Sequence, residues 1–216
     1  MLNSPNLHEV LLWVIKDIHS KGWSTGTAGN FSAVLQREPL TLLMTPSGID
    51  KGLVRSQDLV EINEAGAVVK GTGKPSSETL LHLTIVRETG MGAIIHTHSV
   101  FNTILSQHFL REGKLILTGY EMLKGLEGIL THETIVNIPI WPNSQDMQQL
   151  SQIVGSHLQL NSHYGNEGTS FPRTYGFLLA GHGLYTWGET LFQARRHLEI
   201  LEFLFEVTYR QLVLAD

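Results

Sequence analysis

The sequence predicts a single layered α/β domain whose sheet is paired mainly antiparallel. Helical periodicity occupies both ends of the chain, and β-type runs between them are joined in several places by turns too short for a parallel crossover. No Gly-x-Gly-x-x-Gly follows a strand, which argues against a doubly wound parallel sheet. A chain of 216 residues can bury a full core without dividing, so one domain is expected over residues 1–216.

The elements follow in order. Ser4-Pro5 reads as a helix cap with proline at the first helical position. Val10, Leu11, Val14, Ile15 and Ile18 then recur at helical spacing, and Gly22 is placed to stop the helix. A small-residue turn, Gly26 to Asn30, leads into a strand at Phe31–Leu35. Its partner is expected at Leu40–Thr45, across Arg37-Glu38-Pro39. Leu59–Ile62 and Ala67–Lys70 flank Asn63-Glu64-Ala65-Gly66 as a hairpin. Ser76 or Ser77 is expected to cap a helix from Glu78 to Thr89, with Leu80, Leu81, Thr84 and Ile85 inward. A strand through His96 and His98, a helix from Ser99 to Gln107 and a strand at Leu115–Thr118 come next. Tyr120–Gly125 is a loop or helical turn. Thr134–Trp141 reads as a strand, Ser144–Leu158 as a helix, and the polar stretch Asn161–Pro172 as a mobile loop. Strands at Tyr175–Ala180 and Leu184–Trp187 precede a closing helix from Glu189 to Leu214.

Composition narrows the class. Apolar residues make up 42% of the chain, enough for a core and too many for a disordered segment. A net charge of −5 argues against nucleic acid as a partner. No apolar run is long enough to span a membrane, and the N-terminus lacks a basic stretch followed by a long apolar one. There is no cysteine, which excludes disulfides, thiolate metal sites and a thiol nucleophile, and suits a cytoplasmic setting.

Chemistry concentrates on histidine. Ala93-Ile94-Ile95 is a short apolar run of the kind that makes a buried strand. Alternation along that strand turns His96 and His98 to one face and Thr97 to the other. Two imidazoles one strand repeat apart can share a metal ion. With 11 histidines in the chain, on the order of half such a pair arises by chance. A third candidate, His182, sits in Ala180-Gly181-His182-Gly183 after another apolar run. Three imidazoles with one open position is a catalytic zinc arrangement, whereas structural zinc usually has four protein ligands.

Three polar turns share a second chemistry: Gly29-Asn30, Ser47-Gly48 and Ser76-Ser77. Main-chain N–H groups, hydroxyls and a helix N-terminus bind phosphate without a basic cluster. The same residue types are also ordinary in turns and caps. Glu78 and Glu121 are the two candidate acid/base carboxylates, although a solvated surface position is the usual fate of a glutamate.

Together, Thr25-x-x-x-Gly29-Asn30-x-Ser32, Thr45-Pro46-Ser47-Gly48, Lys74-Pro75-Ser76-Ser77-Glu78, His96-Thr97-His98 and Ala180-Gly181-His182-Gly183 stand in the order seen in class II aldolase/adducin-type proteins. The resemblance runs from about Val10 to Phe205. It implies a three-layer α/β/α domain with a mostly antiparallel central sheet, and one Zn2+ per subunit on His96, His98 and His182. It implies a phosphorylated sugar as substrate, with its phosphate at Asn30, Ser47, Gly48, Ser76 and Ser77. It further implies a homotetramer with active sites between subunits. Tyr120-Glu121-Met122-Leu123-Lys124-Gly125 is similar to the segment around the acid/base glutamate of the family's dehydratases, which casts Glu121 in that role. Glu78 stands where the family's aldolases keep their base, so an aldolase or epimerase is the alternative. A non-catalytic member, like the head region of adducin, need not keep the three histidines.

Overall fold

The computed structural model describes residues 6–163 and 174–215. Its elements are α1 (Leu7–Ser20), β1 (Asn30–Arg37), β2 (Leu40–Met44), β3 (Val60–Asn63), β4 (Val68–Lys70), α2 (Thr79–Thr89), β5 (Ala93–Thr97), α3 (Val100–His108), β6 (Lys114–Leu117), β7 (Val136–Trp141), α4 (Met147–His163), β8 (Gly176–Leu179), β9 (Gly183–Gly188) and α5 (Leu191–Ala215). Short 3-10 turns occur at Ser56–Asp58 and Glu121–Gly125.

Among the described residues the strands form one nine-stranded sheet in the order β4-β3-β2-β1-β5-β9-β8-β7-β6. Every neighbouring pair is antiparallel except β7 and β8, which run parallel. The short connections at residues 38–39, 64–67 and 180–182 enforce this, because a reversal that tight can only return the chain alongside itself. Among sheet neighbours consecutive in the chain, the parallel pair is the one whose connection contains an α-helix, α4.

Alternation along the strands divides the core between two faces. Leu43, Ala93, Ile95, Leu178 and Leu184 point to one face, with Leu11, Val14 and Ile15 of α1, Leu105 of α3 and Leu198, Leu201 and Phe205 of α5. Leu42, Met44, Ile94, Phe177, Leu179, Tyr185 and Trp187 point to the other, with Leu81 and Ile85 of α2 and Leu150 and Val154 of α4. Helices on both faces of a mostly antiparallel sheet give the expected α/β/α layering.

The caps differ from expectation. Asn6 caps α1, its side chain accepting the His8 N–H at 3.2 Å, and the expected Ser4-Pro5 cap lies outside the described residues. The N-cap of α2 is Glu78; Ser76 Oγ instead accepts the Glu78 N–H at 3.2 Å. Within α2, Leu81, His82, Leu83, Ile85 and Val86 are buried, while Leu80 and Thr84 are half-buried at its edge. The helix α4 continues to His163, so residues 161–163 of the expected loop are helical; residues 164–173 lie outside the described residues. No helix among the described residues is long and apolar enough to cross a membrane.

Candidate metal centre and its surroundings

The sheet topology explains how residues far apart in sequence meet. Strands β5 and β9 are antiparallel neighbours, with His96 opposite Tyr185 and Thr97 opposite Leu184. The end of β5 that leads to His98 therefore lies beside the β8–β9 turn that carries His182. That turn is closed by the His182 N–H donating to Leu179 O at 3.0 Å. His98, just past β5, is held by its own N–H donating to Trp23 O at 2.9 Å. The resulting ring centroids lie 4.6 Å (His96–His98), 4.8 Å (His96–His182) and 4.6 Å (His98–His182) apart.

Each imidazole offers one ring nitrogen, and the three lie within 4.8 Å of one another. His96 Nδ1 sits 2.9 Å from Leu184 O, an acceptor, so Nδ1 carries the proton and Nε2 presents a bare lone pair. That Nε2 lies 2.7 Å from His98 Nε2. Nδ1 of His182 is buried without a hydrogen-bond partner among the described residues. Ring nitrogens converging in a part-buried cluster fit a cation: the three lie within 4.8 Å of one another, and ligands at about 2.0–2.1 Å from zinc stand about 3.4 Å apart in a tetrahedral site. Burial, reinforced by the neighbouring imidazoles, holds His96 well below the ordinary histidine range. Burial likewise takes His98 down to about 4, with His182 and Lys51 adding to the effect. Both are neutral near pH 7, the form that binds metal.

Two glycines permit this approach. A Cβ on Gly183 would lie 2.1 Å from Thr97 O and 3.1 Å from His96 Cε1. Gly29 has φ +75°, and a Cβ there would lie 2.7 Å from His96 O.

Glu78 joins the triad. Its Oε1 lies 3.2 Å from His182 Nε2 and 3.6 Å from His96 Nε2. The Glu78 Oε2 atom accepts from Asn30 Nδ2. Asn30 is itself buried, donates to Ser76 Oγ at 3.3 Å and contacts His82 Nε2 through Oδ1. Ser47, Gly48 and Ser77 are exposed, and the Ser47 N–H donates to Lys74 O at 2.9 Å, stitching the two polar turns together. The candidate phosphate residues Asn30 and Ser76 thus lie against Glu78, with the Ser47–Gly48 turn bound to the adjacent loop.

Glu121 is placed differently. It opens the 3-10 turn at Glu121–Gly125, exposed, with Oε1 2.6 Å from Lys124 Nζ and Oε2 3.8 Å from His132 Nδ1. Lys124 holds its carboxyl below the usual range. Among the described residues no hydrogen bond or ion pair joins Glu121 to the triad of its own chain.

Sequence reasoning passed over two buried groups near the site. His82 lies four residues, one helical turn, after Glu78 and faces the sheet. Lys51 is buried beside the polar turns and donates to Thr27 O at 3.0 Å and Ile49 O at 2.9 Å, tying them together. Burial takes its ammonium down to about 8, opposed by Asp50 and Glu78. Its position three residues after Gly48 was the available signal.

Residues 9–209 match the family model described as "Class II Aldolase and Adducin N-terminal domain". A methylthioribulose-1-phosphate dehydratase of Xanthomonas campestris pv. campestris (strain 8004) is 38% identical over 94% of this chain and 89% of its own length. A protein of the same name from Picosynechococcus sp. (strain ATCC 27264 / PCC 7002 / PR-6) is 36% identical over 98% and 95%. Among solved structures, YgbL from Klebsiella pneumoniae, a putative aldolase/epimerase/decarboxylase, superposes with a TM-score of 0.76 at 25% identity, covering 94% of this chain and 88% of that one. An L-fuculose 1-phosphate aldolase shares the fold, with a TM-score of 0.75 at 24% identity over 99% of this chain and 89% of that one. Motifs, fold and matches agree, and the chain belongs to the class II aldolase/adducin family.

Proposed function

We propose that this protein is a metal-dependent dehydratase that converts 5-methylthioribulose 1-phosphate into 2,3-diketo-5-methylthiopentyl 1-phosphate and water, a step of methionine salvage. The observation that carries the reading is the convergence of His96, His98 and His182 with Glu78 in a chain whose relatives, 36–38% identical over most of its length, bear the dehydratase name. We assign zinc, one per subunit, held by the three imidazoles. When bound, it supplies Lewis-acid polarisation of the substrate's C2 carbonyl, which acidifies the C3 proton.

The remaining work belongs to side chains. Glu78, facing the imidazoles, stands where it can take the C3 proton or orient the substrate. As that proton leaves, its electron pair forms the C3–C4 double bond and the C4–O bond breaks. Glu121 protonates the departing hydroxyl, which leaves as water, and the C3 enol tautomerises to the diketone. Proton transfer from a positioned carboxylic acid contributes about 10²–10⁴-fold. Ser47, Gly48, Ser76 and Ser77 bind the phosphate through hydroxyls and main-chain N–H groups, while the Asn30 amide, engaged by Glu78, Ser76 and His82, shapes the turn beside them. Because Glu121 is exposed and remote from its own triad's contacts, the reading places it in a neighbouring subunit's site, within a cytoplasmic homotetramer of single-domain chains.

Incubating the purified protein with 5-methylthioribulose 1-phosphate, with and without a chelator, tests the reading. Diketone formation that chelation abolishes is the expected result. The presence of Glu78 on the triad favours an aldolase or epimerase as the second reading, and dihydroxyacetone phosphate plus an aldehyde as products would establish the aldolase instead.

A further inference from the structure

Behind Glu78 runs a buried hydrogen-bond chain whose direction can be assigned. The Glu78 carboxylate accepts only, so the Asn30 atom that meets Oε2 is the Nδ2 amide nitrogen. The same nitrogen donates to Ser76 Oγ at 3.3 Å. Asn30 Oδ1 is thereby turned to His82 Nε2, which must carry a proton to donate to it. His82 Nδ1 is left with a lone pair, and Ser32 Oγ lies 2.7 Å from it as the donor. Every hydrogen points one way, from Ser32 through His82 and Asn30 to Glu78.

The scaffold leaves this chain little freedom. Ser32 and Asn30 are alternate residues of β1, so both face α2, where His82 sits one turn beyond Glu78. His82 and Ser32 are fully buried, and the His82 ring packs edge-on to Tyr185 at 6.0 Å. Burial drives His82 down to about 3, so it stays a neutral imidazole with one proton to place.

We propose that His82, held as its Nε2–H tautomer by Ser32, is a positioning residue of the active site: through Asn30 it fixes the Glu78 carboxylate so that Oε1 faces the metal-binding imidazoles. The chain gives Asn30 a task distinct from phosphate binding, since both ends of its amide are engaged within the protein. The kinetic consequence rests on the dehydratase reading; the tautomer does not.

Two measurements on the intact protein test it. The first is the ¹⁵N spectrum of histidine-labelled protein, assigned by its change in His82→Gln. Wild type is expected to show a protonated Nε2 and a bare Nδ1 at position 82, and Ser32→Ala is expected to add the other tautomer. A protonated Nδ1 in wild type overturns the proposal. The second is steady-state kinetics of folded His82→Leu and His82→Gln. Leucine is expected to lower kcat about 10- to 100-fold with KM nearly unchanged. Glutamine, whose amide N–H can still reach Asn30, is expected to recover most of that loss. A folded leucine variant with kcat within about two-fold of wild type, or a change in KM alone, overturns the proposal. Should the leucine variant not fold, the glutamine variant and the tautomer decide. A wild-type protein that makes no diketone yet shows the Nε2–H tautomer defeats the dehydratase reading and leaves the His82 arrangement standing.

Discussion

The imidazole of His96 lies flat on the phenol ring of Tyr185, with centroids 4.0 Å apart and planes 15° from parallel. The two are cross-strand partners on β5 and β9. Tyr185 is stacked in turn with Phe177 at 4.8 Å and 12°. The ring whose Nε2 faces the other two imidazoles is therefore the outer member of an aromatic stack rooted in the core. Cross-strand aromatic pairs hold register as well as area.

Tyr185→Ala should remove that platform. Truncating a fully buried aromatic ring costs about 3–5 kcal/mol, measurable by denaturant unfolding of the metal-free protein. The same variant is expected to bind zinc more weakly, because His96 loses its stacking face, leaving the Leu184 O contact to orient its Nδ1 side. Unchanged zinc affinity in a folded variant would show that the main-chain contact alone orients the ring.

Gly183→Ala tests the close approach of β9 to β5. The added methyl meets Thr97 O at 2.1 Å, a main-chain atom that cannot swing aside, and crowds His96 Cε1. Overpacking of this kind costs about 1–3 kcal/mol or more. Lower stability and lower metal content are expected together, since relief of the clash moves His96 away from His182. A fall in stability with full metal content would separate the two strands' packing from the site.

These contacts also show what a sequence can and cannot disclose. The pairings β1–β2, β3–β4 and β8–β9 were legible because short turns leave no other geometry. The triad was legible because alternation fixes the face of His96, and the glycines flanking His182 mark a tight reversal. His82 was not legible: a histidine on an amphipathic helix reads as a polar residue until the burial of Ser32 opposite it is known. The cap of α2 was not legible because Ser76, Ser77 and Glu78 are all plausible there, and the start of the helix at Thr79 is what makes Glu78 the cap. The proposed meeting of Glu121 with another copy's triad is not legible in one chain, because a contact between copies leaves no periodicity.

Glu202 provides a pH test. It is fully buried on α5, accepting from Ser99 Oγ at 2.6 Å and Asn102 Nδ2 at 3.0 Å, beneath the start of α3. Burial raises its carboxyl from 4.5 to about 7, against the pull of those hydrogen bonds. A raised acid binds its proton more tightly folded than unfolded. Its contribution is neutral below the unfolded value, turns unfavourable as pH rises through this window, and reaches its full penalty above the folded value. The penalty is on the order of 3 kcal/mol. Thermal unfolding between pH 4.5 and 7 should therefore show a downward contribution that Glu202→Gln removes. The slope is the readout, because glutamine turns an N–H toward one of the two donors and shifts the absolute stability as well. An unchanged slope would mean that Glu202 is not the group titrating.

The remaining prediction concerns Glu121 and His182, which share no contact in one chain yet are both required by the proposed reaction. If each site takes Glu121 from one subunit and His182 from another, the two lesions can be complemented. Glu121→Gln should retain zinc but lose about 10²–10⁴-fold in turnover, and His182→Ala should lose both zinc and turnover. Each is inactive alone. In a mixed oligomer, a His182→Ala subunit still carries an intact Glu121, and a Glu121→Gln subunit still carries an intact triad. Random assembly makes about one site in four whole again. Co-refolding or co-expression of the two variants should thus recover diketone formation that neither gives separately. A mixed oligomer with no recovery would place Glu121 and the triad in the same subunit's site, or Glu121 outside the reaction. Near-normal turnover of Glu121→Gln alone would select the second of these and leave Glu78 as the acid/base carboxylate.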